Sequence, residues 1–230
     1  MPASALPADR IAYHPPPDTG LDVLHVDEAL VVLNKPAGLL SVPGRGDDRQ
    51  DCLALRVQQR FADALIVHRL DMATSGLLVM ARGVAMQRAL SLAFEQRLAT
   101  KRYEAIVHGV VTEDAGEIDL PLITDWPHRP RQMVCFERGK PSLTRFTVVS
   151  RDDARQRTRV SLEPITGRSH QLRVHLLALG HPILGDELYA PPCPDHGVDA
   201  PARMHLHAAE LGLPHPLAGT TMRWRSDVPF

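Results

Sequence analysis

Three short stretches of the sequence bring together residue types that could do chemistry. The first is "HRLDMATSG" (His68–Gly76), set between the apolar runs Ala64–Val67 and Leu77–Met80. A tight hairpin would place Gly, Asn or Asp at the turn. This corner instead carries Arg69 and Asp71 two residues apart, followed by Thr74 and Ser75. If the first strand continues through Asp71, both charged side chains share a face and the carboxylate stands at a strand exit, where loops present functional groups. The pair is then either an exposed ion pair contributing ~0–1 kcal/mol or a carboxylate held for use, and the stretch alone leaves both open.

The second stretch is "GRSHQLRVH" (Gly167–His175). Ser169 can cap a helix, Leu172, Leu176 and Leu179 can form its apolar stripe, and Gly180 can end it. Arg173 falls about one turn inside, where a forked donor near a helix start suits an anion. A capped helix with a solvated arginine is the plainer alternative. The third stretch is "KRYEAIVHG" (Lys101–Gly109). Ala105 and Val107 alternate with Tyr103 on one face, so the tyrosine faces inward, and an inward tyrosine is usually core with its hydroxyl satisfied.

Other chemistries lack their signatures. His175, His181, His205, His207 and His215 crowd the second half, and "HLH" puts His205 and His207 on one face of a strand. No HExxH accompanies them and no carboxylate stands at a ligand spacing. GxSxG, the P-loop and GxGxxG are absent as well. Cys52, Cys135 and Cys193 are widely separated, which supports neither a zinc ribbon nor a disulfide framework.

The elements that must position these residues can be read from periodicity. Leu21–Val26, Leu30–Leu33, Ala64–Val67, Leu77–Ala81 and Arg102–Val107 read as strands, and Gln132–Ile165 is strand-like throughout. Helices are expected over Asp51–Ala62, starting at Asp51, over Gly83–Arg97, with Met86, Leu90 and Phe94 on one stripe, and over Ser169–Gly180. Strands outnumber helices and their connections are mostly too short for crossovers, so the expected class is α+β with a largely antiparallel sheet.

With 230 residues, 44% of them hydrophobic and 23% charged, the chain can bury a core as one domain or two small ones. It has no apolar run of membrane-spanning length and no signal-like start, so a cytoplasmic location is expected. The formal net charge is only −1, but Trp126–Arg173 holds eleven Arg or Lys against four acids, a local excess of seven positive charges. Such a stripe is either a solvated face or a place for a polyanion.

In order along the chain, "NKPAGLLSVPG", "HRLDMATSGLLVMAR", "KRYEAIVHG", "PITGRSHQLRVHLLALGHPILGD" and "LHA" resemble the motifs of the RluA family of pseudouridine synthases, from about Leu21 to Trp224. "PLITDWPHRPRQMVCFERGKP" (Pro121–Pro141) is similar to the signature of the short, dual-specificity RluA type, which acts on transfer RNA and 23S ribosomal RNA. The resemblance implies a bent, mixed but largely antiparallel sheet flanked by helices around a central cleft. It implies an extended tail over residues 1–20 and a catalytic domain over 21–230, without the S4-type RNA-binding domain of many relatives.

The resemblance further implies isomerisation of uridine to pseudouridine in structured RNA, at uridine 32 of the transfer-RNA anticodon stem-loop and uridine 746 of a 23S rRNA stem-loop. It makes Asp71 the catalytic carboxylate, Tyr103 the tyrosine that stacks on the base and moves a proton, and Arg173 the basic partner of the aspartate. Arg69 is the arginine that fills the gap left by the extruded base, and Arg129, Arg131, Arg168 and His170 are expected to contact RNA. A bidentate Arg173 would keep Asp71 ionised in a closed site. No cofactor, metal, membrane or obligate protein partner is implied, and a monomer is expected. The alternatives are a sister synthase with another RNA target and a non-catalytic RNA-binding protein.

Overall fold

A computed structural model of the chain describes residues 13–190 and 202–230, so Cys193 and the first twelve residues of the expected tail lie outside the described residues. Among the described residues are twelve strands, three α-helices and two short 3-10 turns, at Asp47–Arg49 and Trp126–His128. The strands are β1 (Val23–Val26), β2 (Leu30–Lys35), β3 (Ala64–Ile66), β4 (Ser75–Arg82), β5 (Thr100–His108), β6 (Ala115–Asp119), β7 (Leu122–Thr124), β8 (Gln132–Val134), β9 (Leu143–Asp152), β10 (Arg157–Pro164), β11 (Leu206–Pro214) and β12 (Thr221–Arg225). The helices are α1 (Leu53–Arg60), α2 (Gly83–Glu95) and α3 (Gln171–Ala178).

Ten strands form one sheet in the order β1-β2-β4-β11-β5-β10-β9-β6, with β3 added to β4 and β12 to β11, while β7 and β8 make a separate hairpin. Every pairing is antiparallel except β4 with β11, so the mixed, largely antiparallel α+β architecture is as expected. β2 and β4 read as nearly unbroken apolar runs because both of their faces are covered. Strand alternation sends Val31, Leu33, Leu78 and Met80 to one face, against Leu53 and Val57 of α1. Leu30, Val32, Leu77 and Val79 go to the other, against Leu90 of α2, with Met86 and Phe94 packed alongside as the stripe predicted. A second core under α3 joins Leu172 and Leu176 to Ala105, Val107, Val160 and Leu162. Tyr103 packs against the first and the α3 cores, at the seam between the two halves of the sheet.

Several local expectations need correction. The first strand of the opening stretch stops at Ile66, so Arg69 and Asp71 sit in a loop rather than on a strand, and a turn closes behind them from Thr74 N–H to Asp71 O (3.1 Å). Ser169 does not cap α3. The N-cap is His170 in a left-handed conformation (φ 54°), and the Gln171 side chain instead accepts from Thr166 Oγ1 (2.7 Å) and Arg168 N (3.0 Å). Gly180 (φ 83°) does end the helix, while Leu179 at the turn is 39% exposed and leaves the stripe. Asp51 does not cap α1 either, because both of its oxygens are taken by Arg56 (2.8 and 2.7 Å). Residues 13–20 have no regular structure, yet Tyr13 is buried and its hydroxyl donates to Asp51 O (2.8 Å) and accepts from Leu40 N (3.1 Å). Cys52 and Cys135 are free.

The parallel junction of β4 and β11 sets the site, because β4 begins four residues after Asp71. Ser75 Oγ and His207 Nδ1 bond across it (2.7 Å), and His207 Nε2 continues to Ser226 Oγ (3.0 Å). Next to Ser75, Gly76 adopts φ 109°, and a Cβ there would stand 2.4 Å from the Ala208 carbonyl oxygen. Only glycine allows both the conformation and the approach. Gly76→Ala is therefore expected to cost at least about 4 kcal/mol in urea unfolding. A loss within experimental error would mean that the junction tolerates a side chain.

Candidate active site

The three stretches that looked chemical converge on one cleft of about 2090 Å³. The loop between β3 and β4 brings Asp71, β5 brings Tyr103, and the first turn of α3 brings Arg173, all lining that cleft. The Asp71 loop is clamped by "NKPAGLLS". Ser41 Oγ donates to Leu70 O (2.7 Å) and accepts from Leu70 N (3.1 Å), and Gly38 N donates to Met72 O (2.9 Å). Lys35, fully buried at the end of β2, donates to the carbonyls of Pro36 (2.9 Å), Leu39 (2.6 Å) and Met72 (3.1 Å). Burial pushes the Lys35 ammonium down to about 7, against the pull of the Asp71 charge.

Arg173 is 5% exposed and does not spend its fork on Asp71. Its Nε and Nη2 donate to Asp186 Oδ2 (2.7 Å) and Oδ1 (2.6 Å), leaving Nη1 to face Asp71 Oδ2 at 3.5 Å. The expected bidentate pairing with Asp71 is thus made with Asp186 instead. Asp186 is buried, and the backbone amides of Leu188 (3.0 Å) and Tyr189 (3.2 Å) complete its hydrogen bonds. Burial works against the charge on Arg173, but the bonded Asp186 carboxylate outweighs it and, with Asp71, raises the guanidinium above its ordinary value. The arrangement keeps a cation fixed beside Asp71 and leaves that carboxylate, 28% exposed, open to the cleft.

Tyr103 is raised above the usual phenol range by burial, and the negative charge of Asp71 adds to the shift. At neutral pH it is a neutral ring with its proton in place, able to stack on a base or to relay a proton, but not a standing phenolate. His170 lies on the same floor, with Nε2 3.9 Å from Asp71 Oδ1 and Nδ1 2.7 Å from the Tyr189 hydroxyl. Burial pushes the imidazole down, only partly countered by Asp71, so it is neutral at pH 7.

Arg69 is exposed at the cleft and has no ion-pair partner among the described residues, so the surface pair with Asp71 does not form. Arg129 and Arg168 also line the cleft, Arg129 stacked 3.2 Å over the ring of Trp126, itself 67% exposed. Arg131 is exposed where β8 begins and does not line the cleft. The basic stripe is less of a unit than the sequence suggested. Arg145, Arg151 and Arg159 are met by Glu117 (2.7 Å), Asp114 (2.8 Å) and Glu104 (3.0 Å), acids from outside the window that antiparallel pairing or a neighbouring loop brings alongside. What faces the cleft is assembled from the whole chain, eleven Arg or Lys against five Asp or Glu. Lys101 and Arg203 belong to it, both lowered by burial. Among the described residues no cluster of histidines, cysteines and carboxylates could hold a metal ion.

Sequence reasoning missed Asp186, Tyr189 and Lys35. The first lies inside the quoted "GHPILGD", and Tyr189 follows three residues later, but spacing along the chain gave no reason to join either to Arg173. A lysine ending an apolar strand before a proline was the only sign of Lys35.

A family model described as RNA pseudouridylate synthase matches residues 29–178. The chain is 52% identical over 204 residues to a Vibrio cholerae protein named dual-specificity RNA pseudouridine synthase RluA, spanning 89% of this chain and 81% of that one. The like-named protein of Escherichia coli K12 is 49% identical over 218 residues, spanning 95% and 98%. Among solved structures, human RNA pseudouridylate synthase domain containing 1 is similar with a TM-score of 0.77 at 29% identity, covering 94% of this chain and 87% of that one.

Removing one member of a buried ion pair strands the other. Asp186→Asn is therefore expected to cost about 3–5 kcal/mol. The double change Arg173→Met with Asp186→Leu should recover most of that stability. Urea unfolding of the unaltered protein and the two variants checks this, and a double variant no more stable than Asp186→Asn would contradict it.

Proposed function

The chain belongs to the RNA pseudouridylate synthase family, and we propose that Asp71 is its catalytic carboxylate, acting on a uridine flipped out of a structured RNA loop into the cleft. The protein is an isomerase that converts uridine to pseudouridine in RNA. The reaction breaks the N1–C1′ bond, turns the uracil and joins C5 to C1′, with nothing gained or lost from the nucleoside. The site must therefore stabilise charge at C1′, hold a detached base, and accept the C5 proton at the end.

The observation that supports Asp71 most strongly is its setting. Among the described acids lining the cleft, it is 28% exposed while the buried Arg173 guanidinium faces it at 3.5 Å. Asp186, the other acid on Arg173, is sealed off and has both oxygens bonded. An ionised carboxylate in that place can attack C1′, stabilise positive charge there, or take a ribose proton. Tyr103 supplies a flat face for the base and a hydroxyl for the final proton transfer. Flipping a paired or stacked base costs a few kcal/mol. Arg69, exposed beside Asp71, offsets part of it by entering the vacated space. The surplus of cleft cations supports phosphate contacts by Arg129 and Arg168, with salt-sensitive affinity.

The relatives' names carry dual specificity. Together with the Pro121–Pro141 signature, this supports uridine 32 of the transfer-RNA anticodon stem-loop and uridine 746 of 23S rRNA as the targets. The same reading makes residues 21–230 one catalytic unit, working in the cytoplasm where these RNAs are processed.

Tritium release from RNA labelled at uracil C5 reports turnover separately from binding. Asp71→Asn is expected to release none while retaining RNA on a filter as the unaltered protein does. Release at the normal rate would remove Asp71 from the chemistry, and absence of release by the unaltered protein on either RNA would reject these targets.

A further inference from the structure

Tyr189 touches Arg173, Asp186 and His170, the side chains grouped behind Asp71. Its ring is 9% exposed and packs with Leu122 of β7, Val174 of α3 and the partly buried Val134 of β8, at the root of the hairpin. The Arg173 guanidinium lies 4.9 Å over that ring, and the Tyr189 amide donates to Asp186 Oδ1 (3.2 Å). Its hydroxyl accepts from the amide of Gln132, the first residue of β8 (2.7 Å), and meets His170 Nδ1 at 2.7 Å.

The groups around the hydroxyl favour one direction for this chain. The hydroxyl has one proton, its oxygen already accepts from Gln132, and His170 Nδ1 is the acceptor within reach among the described residues. With the phenol donating to Nδ1 its proton is used within the described residues, and that arrangement leaves the imidazole proton on Nε2, the nitrogen facing Asp71 Oδ1 at 3.9 Å. Distances of this kind are often long without substrate and tighten when it binds.

We propose that Tyr189 is a positioning residue for Asp71, acting through His170, and that it ties the catalytic carboxylate to the seating of the β7–β8 hairpin. The hairpin segment carries Trp126 and Arg129 to the cleft rim, and its Gln132 amide begins a hydrogen-bonded chain that runs to His170, whose Nε2 stands 3.9 Å from Asp71 Oδ1. RNA pressed against the rim is thereby registered at the floor through one amide, one hydroxyl and one imidazole. The inference rests on Asp71 being the catalytic carboxylate.

Tyr189→Phe deletes the hydroxyl and keeps the ring under Arg173. Single-turnover rates at saturating protein should fall about tenfold to a hundredfold, as for a small misplacement of a catalytic group, with RNA affinity unchanged. In a His170→Ala background the same substitution should change the rate less than twofold, because its route to Asp71 is already gone. Nitrogen-15 imidazole spectra should show one tautomer for His170, protonated on Nε2, and Tyr189→Phe should abolish that preference. An unchanged rate, equal effects in both backgrounds, or a fall that appears only in affinity would each overturn the proposal. If Asp71→Asn is fully active, it is the underlying assignment of Asp71 that fails.

Discussion

One buried guanidinium shared between two carboxylates governs the rest of this structure. Arg173 gives two parallel hydrogen bonds to Asp186 and turns its remaining nitrogen toward Asp71. The division matters physically. A fork closed fully on Asp71 would stabilise the resting carboxylate as strongly as any later state, and only interactions that strengthen toward the transition state accelerate a reaction. With the fork taken by Asp186, the cation is locked in orientation and the Asp71 carboxylate stays open to the cleft. An ion pair this deep is weak support for stability, because desolvation offsets much of the attraction. Its value lies in geometry.

The sheet is arranged so that this interaction can form across a sequence separation of 102 residues. Asp71 sits in the loop leading into β4, whose parallel pairing with β11 is secured by Gly76, Ser75 and His207. β11 in turn pairs with β5, so Tyr103 follows from the same junction. On the other side of the seam, α3 packs on β10 and β5 through Leu172 and Leu176 and presents Arg173 to the cleft. The segment after β2 then reaches underneath with Lys35 and Ser41 and fixes the loop by its backbone carbonyls. Burying an ammonium costs several kcal/mol unless its protons are met, and here three carbonyls meet them.

Much of this was legible in the sequence because it is written in local periodicity. The strand runs, the amphipathic stripe of α2 and the Gly180 stop of α3 depend on near neighbours along the chain. The convergence of Asp71, Tyr103 and Arg173 was legible only through family resemblance, since no spacing rule links a loop, a strand and a helix so far apart. What escaped was nonlocal polar pairing. Asp186 is an ordinary aspartate until the turn before it folds back beneath Arg173, and Tyr189 gains its role only when its hydroxyl lies between β8 and α3. Ser169 and Asp51 failed as caps for a related reason. The loop before α3 satisfies its amides with Gln171, and Asp51 is drawn away by Arg56. The basic window misled as well, because antiparallel neighbours neutralise part of it and the cleft recruits Lys101 and Arg203 from outside.

The central claim is spatial: a flipped uridine lies with its anomeric carbon against Asp71. It is tested most directly by a crystal structure of the protein bound to a stem-loop whose target uridine carries fluorine at C5, so that the final proton cannot leave. The account predicts an Asp71 carboxylate oxygen within about 3.5 Å of C1′, the reach of a near-attack arrangement, with the base on Tyr103 and Arg173 still forked to Asp186. A target nucleotide held elsewhere in the cleft, with Asp71 turned away from the sugar, would contradict it.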